Sequence, residues 1–229
     1  MSKRWLFAGL SLFLSFFSAP AQNGFSDFER ISLDQGLSQT TIFSIAQDKK
    51  GFLWFGTQDG LNRFDGYSFR VFRPDRTDPS SVADHWINSL YTDQQGRFWV
   101  GTFNSGLQLY NPESGEFKSF LFPGKDEYPL VQNRIWSLVD GKNGHLWVGT
   151  DHGLQDFDPE TGNSTSYHPG SHSFLQSAQI LTLYSDSLSG NLWIGSANGL
   201  TILNTSDMTF TWFGQGAEKL TDGTVLSLF

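Results

Sequence analysis

From Ile42 onward the chain alternates apolar and polar residues in bursts too short for a helix. Ile42–Gln47 ends at a turn built on DKKG, and Phe52–Gly56, Leu61–Phe64 and Ser68–Phe72 follow, separated by Gly- and Asp-containing turns. Runs of this length with a period of two, bounded by turn residues, predict an up-and-down sheet of four strands. No segment carries a 3.6-residue apolar period over ten or more residues, which excludes an amphipathic helix here.

The pattern then returns. IFSIAQDKKGFLWFGTQDGLNRFD begins at Ile42, INSLYTDQQGRFWVGTFNSGLQLYN at Ile87, IWSLVDGKNGHLWVGTDHGLQDFD at Ile135 and ILTLYSDSLSGNLWIGSANGLTILN at Ile180. Trp54, Trp99, Trp147 and Trp193 therefore stand 45, 48 and 46 residues apart. Four-stranded units at that period predict an all-β β-propeller of antiparallel blades. The blades are placed at 42–86, 87–134, 135–179 and 180–224, with a fifth starting at 225. FSDFERIS (Phe25 to Ser32) reads as a leading fourth strand, so residues 22–41 form an outer strand and a lead-in loop. VLSLF (Val225 to Phe229) reads as a trailing first strand. An incomplete ring follows, and with it the expectation that the chain is the N-terminal part of a longer protein.

The recurring residues have a scaffold reading. Asp48, Asp93 and Asp186 open the first turn, where a carboxylate can accept from nearby backbone N–H groups, whereas VDGKNG moves the third copy's acid one place earlier, to Asp140. The glycines of W-x-G, at Gly56, Gly101, Gly149 and Gly195, repeat with the tryptophans, whose large faces pack between neighbouring sheets.

Composition narrows the setting. Hydrophobic content of 38% and aromatic content of 16% exclude disorder. Lys3 and Arg4, the apolar Trp5–Phe17 and the small residues Ala19 and Ala21 predict a signal peptide at 1–21 and export. Its removal takes the net charge from −8 to −10, which argues against a nucleic-acid partner. The absence of Cys excludes disulfides, thiolate metal sites and a lipid-anchored N-terminus.

WFGTQDGLNRFD, WVGTFNSGLQLYNPESGEF and WVGTDHGLQDFDPETG resemble the two-component regulator propeller repeat family, and the resemblance runs from about Phe25 to Phe229. It departs in length, since members usually carry more blades, and in Ser196, where the other copies have Thr. The resemblance implies the periplasmic sensor of an inner-membrane signalling protein, a homodimer at full length, with remaining blades and a histidine kinase or diguanylate cyclase output elsewhere. In some members the ligand is an oligosaccharide.

Catalytic chemistry is thin. HPGSH sets His168 and His172 four apart in a loop, short of the three or four converging ligands zinc wants. No nucleophile elbow, P-loop or H-E-x-x-H occurs, so no catalytic residue, metal or cofactor is assigned. A propeller glycoside hydrolase of the sialidase kind is a rival reading. TDQQGRFW and QDKKGFLW, however, have one residue too many between Asp and Gly for its Asp-box and lack its Thr. A secreted protein-binding scaffold is the other alternative. If a ligand binds, the loops joining second to third strands share one rim of the disc with the blade-to-blade loops. There Asp59, Asn104, Asp151, His152 and Asn198, with His85, Trp86 and Arg134, are the candidate ligand-binding residues.

Overall fold

A computed structural model describes residues 30–122, 133–170, 172–214 and 223–228. The expected signal peptide and most of the expected leading strand lie outside them. Each predicted blade is a four-stranded antiparallel sheet with its strands in sequence order. The first holds β1 (Ser44–Gln47), β2 (Leu53–Thr57), β3 (Gly60–Phe64) and β4 (Phe69–Phe72). The second holds β5 (Ile87–Thr92), β6 (Phe98–Thr102), β7 (Leu107–Tyr110) and β8 (Phe117–Phe120). β9 (Ile135–Asp140), β10 (Leu146–Thr150), β11 (Gly153–Phe157) and β12 (Ser164–Tyr167) make the third. β13 (Ile180–Asp186), β14 (Asn191–Ser196), β15 (Gly199–Asn204) and β16 (Phe210–Phe213) make the fourth.

Successive sheets meet through their inner strands: β5 packs on β1 and β2, β9 on β5 and β6, and β13 on β9 and β10. The W-x-G glycines make that approach tight. A Cβ on Gly56, Gly101 or Gly149 would fall 2.9, 2.7 or 2.9 Å from the side chain of Ile87, Ile135 or Ile180, which opens the next blade. Gly195 repeats the arrangement with Val225, whose side chain would lie 2.8 Å from an added Cβ. Val225 thus occupies the place of those isoleucines, although residues 225–228 form no strand. Its N–H donates to the Ser196 carbonyl at 3.0 Å. At the other end Ser32 caps a short 3-10 turn, Leu33–Gln35, and Arg30–Ser32 carry no strand.

Trp54 and Trp99 are fully buried and Trp147 nearly so. Trp54 lies 4.7 Å from the Phe98 ring and 4.9 Å from Tyr110 in the second sheet, and Trp99 lies 5.9 Å from Phe157 in the third. The arc of sheets is not closed, and Trp193, on the far face of the fourth sheet with Tyr184 and Ile202, is only half-buried.

The first-turn acids do more than hold backbone. Asp48 accepts from the N–H groups of Lys50 and Phe52 and, through its other oxygen, from the Trp54 indole at 2.7 Å. Asp93 accepts from the Arg97 backbone and guanidinium and from the Trp99 indole at 2.8 Å. Asp186 opens its turn as expected and accepts from the Leu188 and Ser189 backbone N–H groups, but it does not reach the Trp193 indole. It stands four residues before Gly190, as Asp140 does before Gly144, and bonds locally to Ser189 and Leu188.

Candidate functional site

The rim carrying the second-to-third-strand loops is built by one recurring device. In three of the four blades a buried polar residue in the third strand reaches the loop that enters that blade. Asn62 accepts from the Ser38 N–H at 2.9 Å, Gln108 from the Ala83 N–H at 2.8 Å, and Thr201 donates to the Phe174 carbonyl at 3.0 Å. Gln155, at the same position, accepts from the Ser166 hydroxyl instead. Unsatisfied polar groups are costly inside a sheet stack, so the loops are held where these side chains require them. Sequence reasoning missed these four residues. The signal was present as a polar residue directly after each Gly-Leu.

Backbone bonds fix the loops further. The Gly60 N–H donates to the His85 carbonyl at 2.7 Å, and the Gly106 N–H to Asn133 at 3.0 Å. Positive φ angles of 103° and 80°, and carbonyls 2.4 and 2.5 Å from where a Cβ would sit, require glycine at both positions.

The candidate residues fall on this rim, and most are tied to a neighbouring loop. Asp59 forms a two-pronged ion pair with Arg73 at 3.2 and 2.8 Å, whose hydrogen bonds hold its carboxyl below the usual range. The Asn104 N–H donates to Asp84 at 2.8 Å, and Asn198 donates to the Gln176 carbonyl at 3.1 Å. The His152 ring lies 4.8 Å from that of His168, whose Nδ1 meets the His152 carbonyl. Among the described residues no three metal-ligating side chains converge.

Trp86, Arg134 and Asp151 come together in one cluster. Trp86 stacks on Phe103 with ring centroids 4.0 Å apart and planes 5° from parallel. The Arg134 guanidinium sits 3.8 Å from the Phe103 ring centroid and pairs with Asp151 at 2.6 Å. Asp151 also accepts from the Trp136 indole at 2.5 Å and from Gln179 at 3.1 Å. Trp136 approaches Phe103 edge-on, and Phe43, 41% exposed, extends the line beyond Trp86. The result is an aromatic and cationic ridge crossing three blades. Trp86 and Arg134 each keep a buried N–H donor, Nε1 and Nε, with no acceptor among the described residues. His85 is exposed beside the ridge and Asn104 is exposed at its edge. Such a surface can stack an apolar ring face and offer hydrogen bonds around it.

The chain matches the two-component regulator propeller family at residues 36–59, 81–104 and 129–152. Over 66 residues it is 44% identical to histidine kinase P4 of Formosa agariphila, across 29% of this chain and 5% of that protein. A solved extracellular domain of a hybrid two-component system from B. thetaiotaomicron is similar with a TM-score of 0.72 and 33% identity, over 82% of this chain and 26% of its own. A second such domain from the same organism aligns with a TM-score of 0.66 and 22% identity, over 81% of this chain and 27% of its own. The chain thus spans about a quarter of these solved relatives.

Proposed function

We propose that this chain, built of two-component regulator propeller repeats, is the ligand-sensing propeller region of a membrane-bound two-component receptor with a histidine kinase output. In this reading residues 1–21 direct export, the blades lie in the periplasm, and further blades complete the ring in a homodimeric receptor. The observation that carries it is the 33% identity across 82% of the chain to an extracellular domain described as part of a hybrid two-component system. The match to a histidine kinase favours that output over a diguanylate cyclase.

The aromatic and cationic ridge is the proposed ligand surface. Trp86 and Phe43 supply ring faces for a sugar, Phe103 is clamped between Trp86 and Arg134, and His85, Asn104 and Arg134 supply polar contacts around them. Asp59, Asp151, His152 and Asn198 position the loops through their bonds to neighbouring segments. The test has two arms. Alkaline phosphatase fused after Gly214 in the native host should be active, and an inactive fusion would remove the periplasmic reading. In cells carrying the native gene, Trp86→Ala with His85→Ala should abolish the transcriptional response to the activating oligosaccharide while receptor abundance stays constant. An unchanged response would remove the ridge as the ligand surface.

A further inference from the structure

Three carboxylates stand along the aromatic ridge, at Asp59, Asp84 and Asp151, and each of their oxygens already accepts a hydrogen bond from the protein. Both Asp59 oxygens accept from the Arg73 guanidinium, at 3.2 and 2.8 Å. Asp84 takes the Trp86 N–H at 3.1 Å on one oxygen and the Asn104 N–H at 2.8 Å on the other. Asp151 takes the Trp136 indole and the Gln179 amide on one oxygen and the Arg134 guanidinium on the other. The two guanidiniums are thus matched by carboxylates, and the remaining acid, Asp84, is held by backbone.

This bonding limits what the ridge can take. A ligand cation would meet no free carboxylate oxygen. A ligand carboxylate would have to part Arg73 from Asp59 or Arg134 from Asp151, or else lose its water beside three acids in a chain of net charge −8. Stranding a charge in that way is costly.

The groups that stay available are polar but uncharged. Gln58, His85 and Asn104 are all exposed. The side-chain amides of Gln58 and Asn104 make no hydrogen bond among the described residues. Backbone ties set these groups around one segment. The Gly60 N–H bonds to the His85 carbonyl at 2.7 Å, and the Phe103 N–H to the Trp86 carbonyl at 3.0 Å. The loops carrying Gln58 and Asn104 therefore flank His85 and Trp86. Amides and an imidazole both donate to and accept from hydroxyls, and the Trp86 and Phe43 rings can cover an apolar C–H face.

We propose that the ridge selects an uncharged oligosaccharide and rejects sugars that carry a carboxylate. The inference rests on the ridge being the sensing surface, and it names the class of sugar that surface takes. Gln58, His85 and Asn104 grip hydroxyls, while Asp59, Asp84 and Asp151 keep the rim closed to anions.

The test presents the purified full chain with neutral gluco-, manno- and galactohexaoses beside the matching hexuronates. Each sugar that binds is compared by calorimetry with its counterpart, the two differing only in a hydroxymethyl or a carboxylate at C6. The neutral sugar should bind at least about tenfold more tightly than its uronate, and Trp86→Ala and Asn104→Ala should each weaken it by a similar factor. Matching circular dichroism of the exposed Asn104→Ala variant separates lost contacts from lost folding. Equal or tighter binding of the uronate, abolished by Trp86→Ala, would overturn the selection by charge and leave the ridge as the ligand surface. No binding of any of these sugars, or binding that both variants leave unchanged, would remove the ridge reading and the selection with it.

Discussion

The first two blades and the last two share a repeat but hold their central tryptophan differently. In blades one and two, six positions separate the turn acid from the tryptophan, Asp48 to Trp54 and Asp93 to Trp99, and the carboxylate accepts the indole N–H. In blades three and four the separation is seven, Asp140 to Trp147 and Asp186 to Trp193. Asp140 turns back to the preceding blade, where it accepts from the Tyr91 hydroxyl at 2.6 Å and the Gln94 N–H at 3.2 Å. Asp186 folds onto its own turn, and the Trp193 indole N–H is buried with no partner among the described residues. One inserted residue moves the carboxylate past the indole, and the anchor becomes an interblade tie in one case and a local turn in the other.

The largest expected difference comes from the indoles. Trp99→Ala should cost about 3–5 kcal/mol in chemical denaturation, because the side chain is fully buried between two sheets. Trp193→Ala, half-buried, should cost about 1–2 kcal/mol. Equal losses would break the contrast between the blades.

The acids come next. Asp93→Ala strands the Trp99 indole and the Arg97 guanidinium together and should cost about 2–3 kcal/mol. Asp186→Ala, which removes only bonds within its own exposed turn, should cost much less than Asp93→Ala. A sharper version deletes Ser187, which restores six-residue spacing to Trp193 in a turn ending at Gly190. That deletion should raise stability by about 1 kcal/mol by giving the buried indole an acceptor. A loss of stability would show that spacing alone does not create the anchor.

The smallest effects are those of pH. Hydrogen bonds from Ser189 and the Leu188 backbone hold Asp186 below the usual carboxylate range, as those from Thr161 and the Glu160 backbone hold Asp158. Depressed carboxyls contribute stability above their unfolded values that is lost as pH falls through the folded ones, so the melting temperature should drop below about pH 4. Tyr91 titrates the other way. Burial first, and then its bond to Asp140, push its phenol up, so the unfolded chain releases that proton first. Stability should therefore decline above about pH 10, and Tyr91→Phe should flatten that decline.

Most of the scaffold was legible because each strand is short and the first-to-second and second-to-third turns of every blade carry a glycine at positive φ. The boundaries shifted by a residue or two: the expected Ile42–Gln47 became Ser44–Gln47, and the expected Leu61–Phe64 began at Gly60. The Asp–Trp anchor was not legible as a function, since a turn acid and a core tryptophan each have sufficient reasons alone. The spacing that separates the two pairs of blades was nevertheless written in the chain. Asp186 opens its turn as the sequence predicted, and the extra residue before Gly190 is what separates it from Asp48 and Asp93. The rim ridge was half legible. Trp86 and Arg134 were among the rim-loop candidates, but Phe103, which joins them, was not.

The most direct test of the account is the side-chain N–H resonance of each blade tryptophan, followed by NMR in Asp48→Asn and Asp186→Asn variants. The spacing rule predicts that the Trp54 indole resonance moves strongly in the first variant and that the Trp193 resonance stays put in the second. A Trp193 shift as large as that of Trp54, or no Trp54 shift, would contradict the claim that a single turn residue decides where the carboxylate goes.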